Sequence, residues 1–328
     1  MKSEDMILKA AIVHILDSSV GIPVLSDQSM EVGPDFSDFL KAHIEKITES
    51  DDVKHCTFAE GSEVKELLQN CTPDNFVETS KQLAERLYDI MNANIDIPAA
   101  DVAMTVFGCK GKDYLAFLKM NYKTSYTHQT RETDGGNSNE IILQRALLPG
   151  QGQRLSEGSL ILAEKKYEVN GEKCFYFSEL FLECRAPLSQ KSKLDIVTRA
   201  VDQVAKKYYG DEDAQKKMKI KDIICNELEE QGEIKVSELR EKVFPGSPEM
   251  LEELDEKLDR YNLSYETVAP KNEQTIKKFQ KQKLYTDTGI EITIPMEEYR
   301  NPDHVEFITN MDGTISVLIK NIGMLSSK

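Results

Sequence analysis

Hydrophobic and polar positions alternate along the chain with two different periods, and the switches between them mark its organisation. Ile7 to Leu16 is nearly all apolar apart from Lys9 and His14, which predicts a strand buried on both faces. A short strand around Ile22 to Leu25 is expected to pair with it across Asp17-Ser18-Ser19. Gly33-Pro34 opens a helix whose Phe36, Phe39, Leu40, His43, Ile44 and Ile47 share one stripe. A further helix is predicted with Thr72 as N-cap and Pro73 as its first residue. Its Phe76, Ser80, Leu83, Ala84, Leu87 and Met91 again fall on one face.

From Asp101 the period becomes two. Val102 to Phe107, Tyr114 to Tyr122, Glu140 to Leu148, Ser159 to Val169 and Cys174 to Leu182 all read as strands. Asn170-Gly171 has the composition of a two-residue hairpin turn, which needs positive φ at both positions. The polar stretch from Thr127 to Asn139, with Gly135-Gly136, reads as a mobile loop. Helical spacing returns at Leu188 to Tyr209, Ala214 to Gln231, Val236 to Val243 and Pro248 to Tyr261, with Gly232 suited to stopping the second. Strands resume at Ile290 to Ile294, Val305 to Ile308 and Thr314 to Ile319, and Asp312-Gly313 forms a second hairpin turn. The expected fold class is α+β. Residues 1–185 form an N-terminal domain of largely antiparallel sheet with packed helices. Residues 186–328 form a mainly helical region ending in a small antiparallel sheet.

Composition narrows the classes. The 328 residues are 40% hydrophobic and 30% charged, as in a globular protein. No segment approaches the roughly 20 apolar residues that cross a bilayer, and the N-terminus lacks the basic region of a secretory signal. A cytoplasmic protein without membrane contact is expected. The six cysteines are scattered without disulfide-framework spacing, which favours thiols.

Charge bears most directly on function. The net charge of −16 argues against indiscriminate coating of DNA. The excess is uneven: residues 1–100 hold 8 basic and 19 acidic side chains, whereas residues 185–221 hold 10 basic and 5 acidic. Two lysine clusters are the candidate DNA contacts. The first comprises Lys206, Lys207, Lys216, Lys217, Lys219 and Lys221. The second, Lys277, Lys278, Lys281 and Lys283, has the spacing of one short helix. A solvated face balancing neighbouring acids is the competing reading of both. Tyr208-Tyr209, Phe279 and Tyr285 supply few aromatics for stacking on bases.

Other chemistry is weaker. Phe107 to Asp113 superficially suggests a phosphate loop, but its glycines are too close together and Asp113 stands where a hydroxyl is needed. A Lys-Gly turn between strands accounts for it. His43, His55, Cys56 and Cys71 lack the paired spacing of a structural zinc site, so no metal is expected. His14 reads as a hydrogen-bonded core histidine. No nucleophile motif is present, and no catalytic residue or cofactor is expected. The helices after Arg185 have a helix-turn-helix order, but the third carries Glu249, Glu252, Glu253, Asp255, Glu256 and Asp259, which phosphates would repel.

Several segments occur together in an order that points to one family. They are Ile7 to Asp17, Tyr114 to Met120, Tyr176 to Glu179 leading to Phe181 to Cys184, Ala269-Pro270 to Lys283, and the closing hairpin from Asp312 to Lys320. On these segments the chain resembles the bacterial nucleoid-associated protein family whose members have a mass near its own 37.2 kDa. The resemblance implies a non-enzymatic protein of the nucleoid, associated with DNA or with DNA-bound proteins. The expected partner is double-stranded DNA, held with little sequence preference by the C-terminal basic segments. The alternative is an acidic scaffold that reaches the nucleoid only through protein partners. Oligomeric state stays open, a homo-oligomer included.

Overall fold

The structure, a computed structural model, describes residues 1–17, 21–94, 96–151, 167–169, 172–185, 187–210, 214–324 and 326. These divide into two compact units, Met1–Ser189 and Gln190–Lys328.

The first unit is organised by a three-stranded antiparallel sheet of β1 (Met6–Leu16), β3 (Ala100–Cys109) and β4 (Lys112–Asn121), in the order β1-β3-β4. The period-two alternation of these strands sends successive side chains to opposite faces. Ile12, Leu16, Val102, Met104 and Phe117 go to one face and Ala11, Ala103, Leu118 and Met120 to the other. Helix α1 (Pro34–Thr48) covers the second face with Leu40, Ile44 and Ile47. Helix α3 (Phe76–Asn92) covers the first with Leu83, Leu87 and Met91. The sheet is thus packed on both sides, as the apolar run of β1 requires. The Lys110-Gly111 pair, with φ of 50° and 77°, forms the tight turn between β3 and β4, which disposes of the phosphate-loop likeness.

Elsewhere in this unit the structure departs from the sequence pattern. Helix α3 begins at Phe76, not after Thr72: the Asn75 side chain accepts from Thr72 N at 2.6 Å and donates to Asn70 O, holding Thr72-Pro73 in a turn. Short β2 (Thr57–Phe58) and α2 (Glu63–Gln69) precede it, the latter capped by Ser62. Among the described residues, Ile22 to Leu25 makes only one bridge, Ile15 to Val24. The expected loop at Thr127 to Asn139 is instead the far end of a long ribbon, β5 (Lys123–Thr133) paired with β6 (Gly136–Leu147). Both its faces are largely exposed, so no alternation betrays it. Strands β7 (Tyr167–Val169) and β8 (Glu172–Cys174) pair antiparallel, but Asn170-Gly171 and most of Ser159 to Val169 lie outside the described residues. The expected strand at Cys174 to Leu182 is a π-helical turn, Tyr176–Phe181. Its buried Tyr176, Phe177 and Phe181 pack on the sheet, with Phe117 and Phe181 ring centres 5.1 Å apart. Strand β9 (Cys184–Arg185) then pairs with β2.

The second unit is mainly helical. Helix α4 (Gln190–Tyr209) buries Leu194, Val197, Val201 and Val204 along one stripe. Helix α5 (Ala214–Asn226) runs into a π-helical turn, Glu227–Gln231, that ends at Gly232 with φ of 70°. Next come β10 (Ile234–Lys235), α6 (Val236–Val243), α7 (Pro248–Asp259) and β11 (Thr267–Val268), which pairs with β10. Leu239, Val243, Phe244, Met250, Leu254 and Leu258 close a core against α4 and α5. Short α8 (Glu273–Lys277) leads to β12 (Lys281–Tyr285), paired with β13 (Glu291–Pro295). A single turn, α9 (Met296–Tyr299), precedes the closing hairpin of β14 (Val305–Thr309) and β15 (Ile315–Ile319). Gly313 in its turn has φ of 84°, as the Asp-Gly pair predicts. Met296 and Met218 join these small sheets to α5.

Candidate nucleic-acid interface

Three lysines of the first cluster, Lys206, Lys217 and Lys221, line a cleft of about 510 Å³ in the second unit, and the segment that carries the second cluster lies across it. Helix α4 lines it with Thr198, Asp202 and Lys206, and α5 with Lys217, Met218 and Lys221. Spacings of four residues place each set on one helix face. Phe279, Gln282, Leu284 and Tyr285 form the opposite wall. Lys221 joins the walls by donating from Nζ to the Lys281 carbonyl at 2.8 Å.

Burial dominates the electrostatics here. It pulls the Lys221 ammonium below its ordinary pKa, while the nearby Asp202 acts in the opposite sense. Burial likewise raises the Asp202 carboxyl, which Lys221 and Lys217 counter. Both shifts describe charges set back into the wall of the cleft. An arriving anion would favour the charged form of Lys221.

The remaining lysines have different settings. Lys207 is held by Glu253 of α7, whose hydrogen bond raises its pKa. Lys216 lies 4.3 Å above the Tyr209 ring. Lys219 is exposed on α5. In the second cluster Lys277 is the last residue of α8 and pairs with Glu273 at 2.9 Å. Lys278 follows, and Lys281 and Lys283 stand on strand β12, so the expected single helix is corrected to a helix end and a strand. The alternation of Lys281, Lys283 and Tyr285 with Gln282 and Leu284 fits that strand, because it puts the first three on one face. Lys283 pairs across β12 and β13 with Glu291 at 2.7 Å. Thr198, Asp202 and Gln282 were not anticipated as cleft residues. The one available signal was the four-residue spacing of Thr198, Asp202 and Lys206.

The look-alike sites of the first unit stay structural. His14 accepts from Ser26 N at its Nδ1, at 3.1 Å, and its Nε2 lies 3.0 Å from Ser80 Oγ. His43 is buried edge-on against Phe39. Among the described residues no group of three or more histidine, cysteine or acidic side chains is placed to hold a metal. No described helix is long and apolar enough to cross a membrane.

Compared with known families, residues 12–324 match the model of the nucleoid-associated protein YejK family, NA37. The chain belongs to that family. No curated protein matches it. The match takes in both units, from the sheet of the first to the terminal hairpin of the second. Membership in the nucleoid-associated protein YejK family gives the chain a non-enzymatic, nucleoid-associated identity in the bacterial cytoplasm.

Proposed function

We propose that this nucleoid-associated protein contacts double-stranded DNA directly, through the phosphate backbone, using the basic rim of the cleft in its second unit. The observation that supports the reading is a cleft lined by Lys206, Lys217 and Lys221, with the segment that carries the second cluster as its other wall. Lys206, Lys217 and Lys221 lie in its lining, Lys216 and Lys219 stand beside them on α5, and Lys278 and Lys281 flank the opposite wall outside the lining. The carboxylate that pairs with Lys207, Lys277 or Lys283 must be displaced for that lysine to reach a phosphate. Contacts to phosphate fix register and orientation without reading sequence, so binding is sequence-tolerant.

The test is binding to duplexes of unrelated sequence across a salt series. Each phosphate contact adds about 0.9 to the slope of log affinity against log salt. Replacing Lys216, Lys217, Lys219 and Lys221 together by Gln should weaken binding on every duplex and flatten the slope. Replacing Lys277, Lys278, Lys281 and Lys283 tests the other wall. Parent-like binding by both variants refutes the reading.

The alternative, an acidic scaffold, is favoured by a separate observation: residues 1–185 carry 30 acidic and 19 basic side chains. In that case the parent chain fails to bind duplex even at low salt, and a basic protein of the nucleoid is its partner.

A further inference from the structure

The cleft of the second unit is roomier than one phosphate group needs and too small for a duplex. Its volume of about 510 Å³ equals that of a cube about 8 Å on edge, against roughly 12 Å for the width of a major groove alone. A duplex therefore rests on the rim, and the interior is left to a small molecule. Pockets of about 300–1,000 Å³ are the usual size for one.

Three kinds of surface meet inside it. Lys206, Lys217 and Lys221 share the lining with one carboxylate, Asp202, so the interior carries excess positive charge in a chain of net charge −16. A cleft of one sign focuses its field on an arriving anion. Lys221 gives one of its three N–H groups to the Lys281 carbonyl, which leaves two for an oxygen in the cleft. Met218 and Ile224, both buried, and Phe279 and Leu284, both half-buried, supply an apolar, partly aromatic surface. Tyr285, 68% exposed, stands at its edge. Gln282 donates from Nε2 to the Lys283 carbonyl at 2.8 Å, so its Oε1 stays available as an acceptor, with the Asp202 carboxylate as another. Inorganic phosphate leaves the apolar surface unmatched, a fatty acid has one carboxylate for three lysines, and a sugar phosphate has no flat apolar face. A nucleotide matches all three surfaces.

We propose that this cleft binds a nucleoside triphosphate from solution, its phosphates on Lys206, Lys217 and Lys221 and its base against Phe279, Leu284 and Tyr285. Amino or hydroxyl groups of the base and ribose donate to Gln282 Oε1 and Asp202. Stacking on aromatic rings tolerates every base, so the phosphates and the presence of a ring decide binding more than the identity of the base. The site shares lysines with the proposed duplex contact but does not rest on it. Its test contains no duplex, so either can fail alone.

Isothermal titration calorimetry of the full chain with ATP tests it. One ATP should bind per chain with a dissociation constant in the micromolar range. Tripolyphosphate alone and adenosine alone should each bind at least about tenfold more weakly. Lys217→Gln with Lys221→Gln should weaken ATP binding at least about tenfold with an unchanged circular dichroism spectrum. Where that variant misfolds, Lys217→Glu, a change on the surface of α5, carries the same expectation. Absence of ATP binding, tripolyphosphate that binds as tightly as ATP, or a folded lysine variant that binds ATP as the parent does each overturns the proposal. An oligothymidylate of about ten nucleotides that displaces ATP and binds more tightly than it assigns the cleft to a single strand, which overturns the proposal too.

Discussion

Arg86 of α3 places Nη2 2.5 Å from Oε1 of Glu183, a residue whose backbone sits in the left-handed region at φ of 51°. The same guanidinium donates to the carbonyls of Leu180 and Phe181, at 3.1 Å each. The second Glu183 oxygen accepts the Val64 amide at the start of α2. One ion pair therefore fastens α2, α3 and the π-helical turn together.

Arg86→Ala should destabilise the protein by about 3 kcal/mol, the range for a partly buried, charge-assisted hydrogen-bond set left without its donor. Urea unfolding followed by circular dichroism measures it, since the chain has no tryptophan. Burial pushes the Glu183 carboxyl up, but hydrogen bonds from Ser62 and Val64 and the charge of Arg86 outweigh it and leave the pKa lowered. A lowered carboxyl pKa stabilises above the unfolded value. That contribution should be lost as pH falls through the folded one.

His14 gives a second acid-sensitive element. Burial first, and the charge of Lys81 second, lower its pKa to about 4. The unfolded imidazole takes up its proton near pH 6.5, where the folded one still refuses it. Stability should therefore be full above pH 6.5 and fall by roughly 3 kcal/mol towards pH 4. His14→Gln should lower stability at neutral pH yet flatten this slope. An unchanged slope between pH 6.5 and 4 would exclude the assignment.

The acids that hold Lys207, Lys277 and Lys283 should act as brakes on DNA contact. Changing Glu253, Glu273 and Glu291 together to Gln removes exposed or half-exposed pairs that add little to stability. Duplex affinity should rise, and the salt slope should steepen by up to about 0.9 for each lysine that reaches a phosphate. A titration at two salt concentrations suffices to see it.

Gly313 offers a local check on the terminal hairpin. An added Cβ there meets no atom within 4 Å, so the cost of Gly313→Ala comes from the positive φ alone. About 1 kcal/mol is expected. Amide exchange should quicken in β14 and β15 while α4 and α7 keep their protection.

The sequence pattern was readable where one period met one environment. The stripe on α3 and the alternation in β3 and β4 are examples, because core and solvent there lie on fixed sides of each element. It failed where that contrast vanished. The ribbon is wet on both faces, so Thr127 to Asn139 shows only polarity. Tyr176, Phe177 and Phe181 are all buried, and a fully apolar segment has no period to distinguish a π-helical turn from a strand. At the cleft, the lysines stood out by charge, but which of them line it depends on how α5 packs against β12. No local spacing encodes that packing.

The π-helical turn and the ribbon tip differ in how they bear changes of chain length. Tyr176–Phe181 carries its aromatic residues inward on both sides of Ser178 and Glu179. Deleting one residue there would rotate Phe181 by about 100° on a helical path, away from Phe117 and towards water. The turn at Thr133 to Gly136 lies in the open, where two added residues merely lengthen the hairpin. Insertions and deletions among related chains should therefore collect at the ribbon tip and spare the π-helical turn.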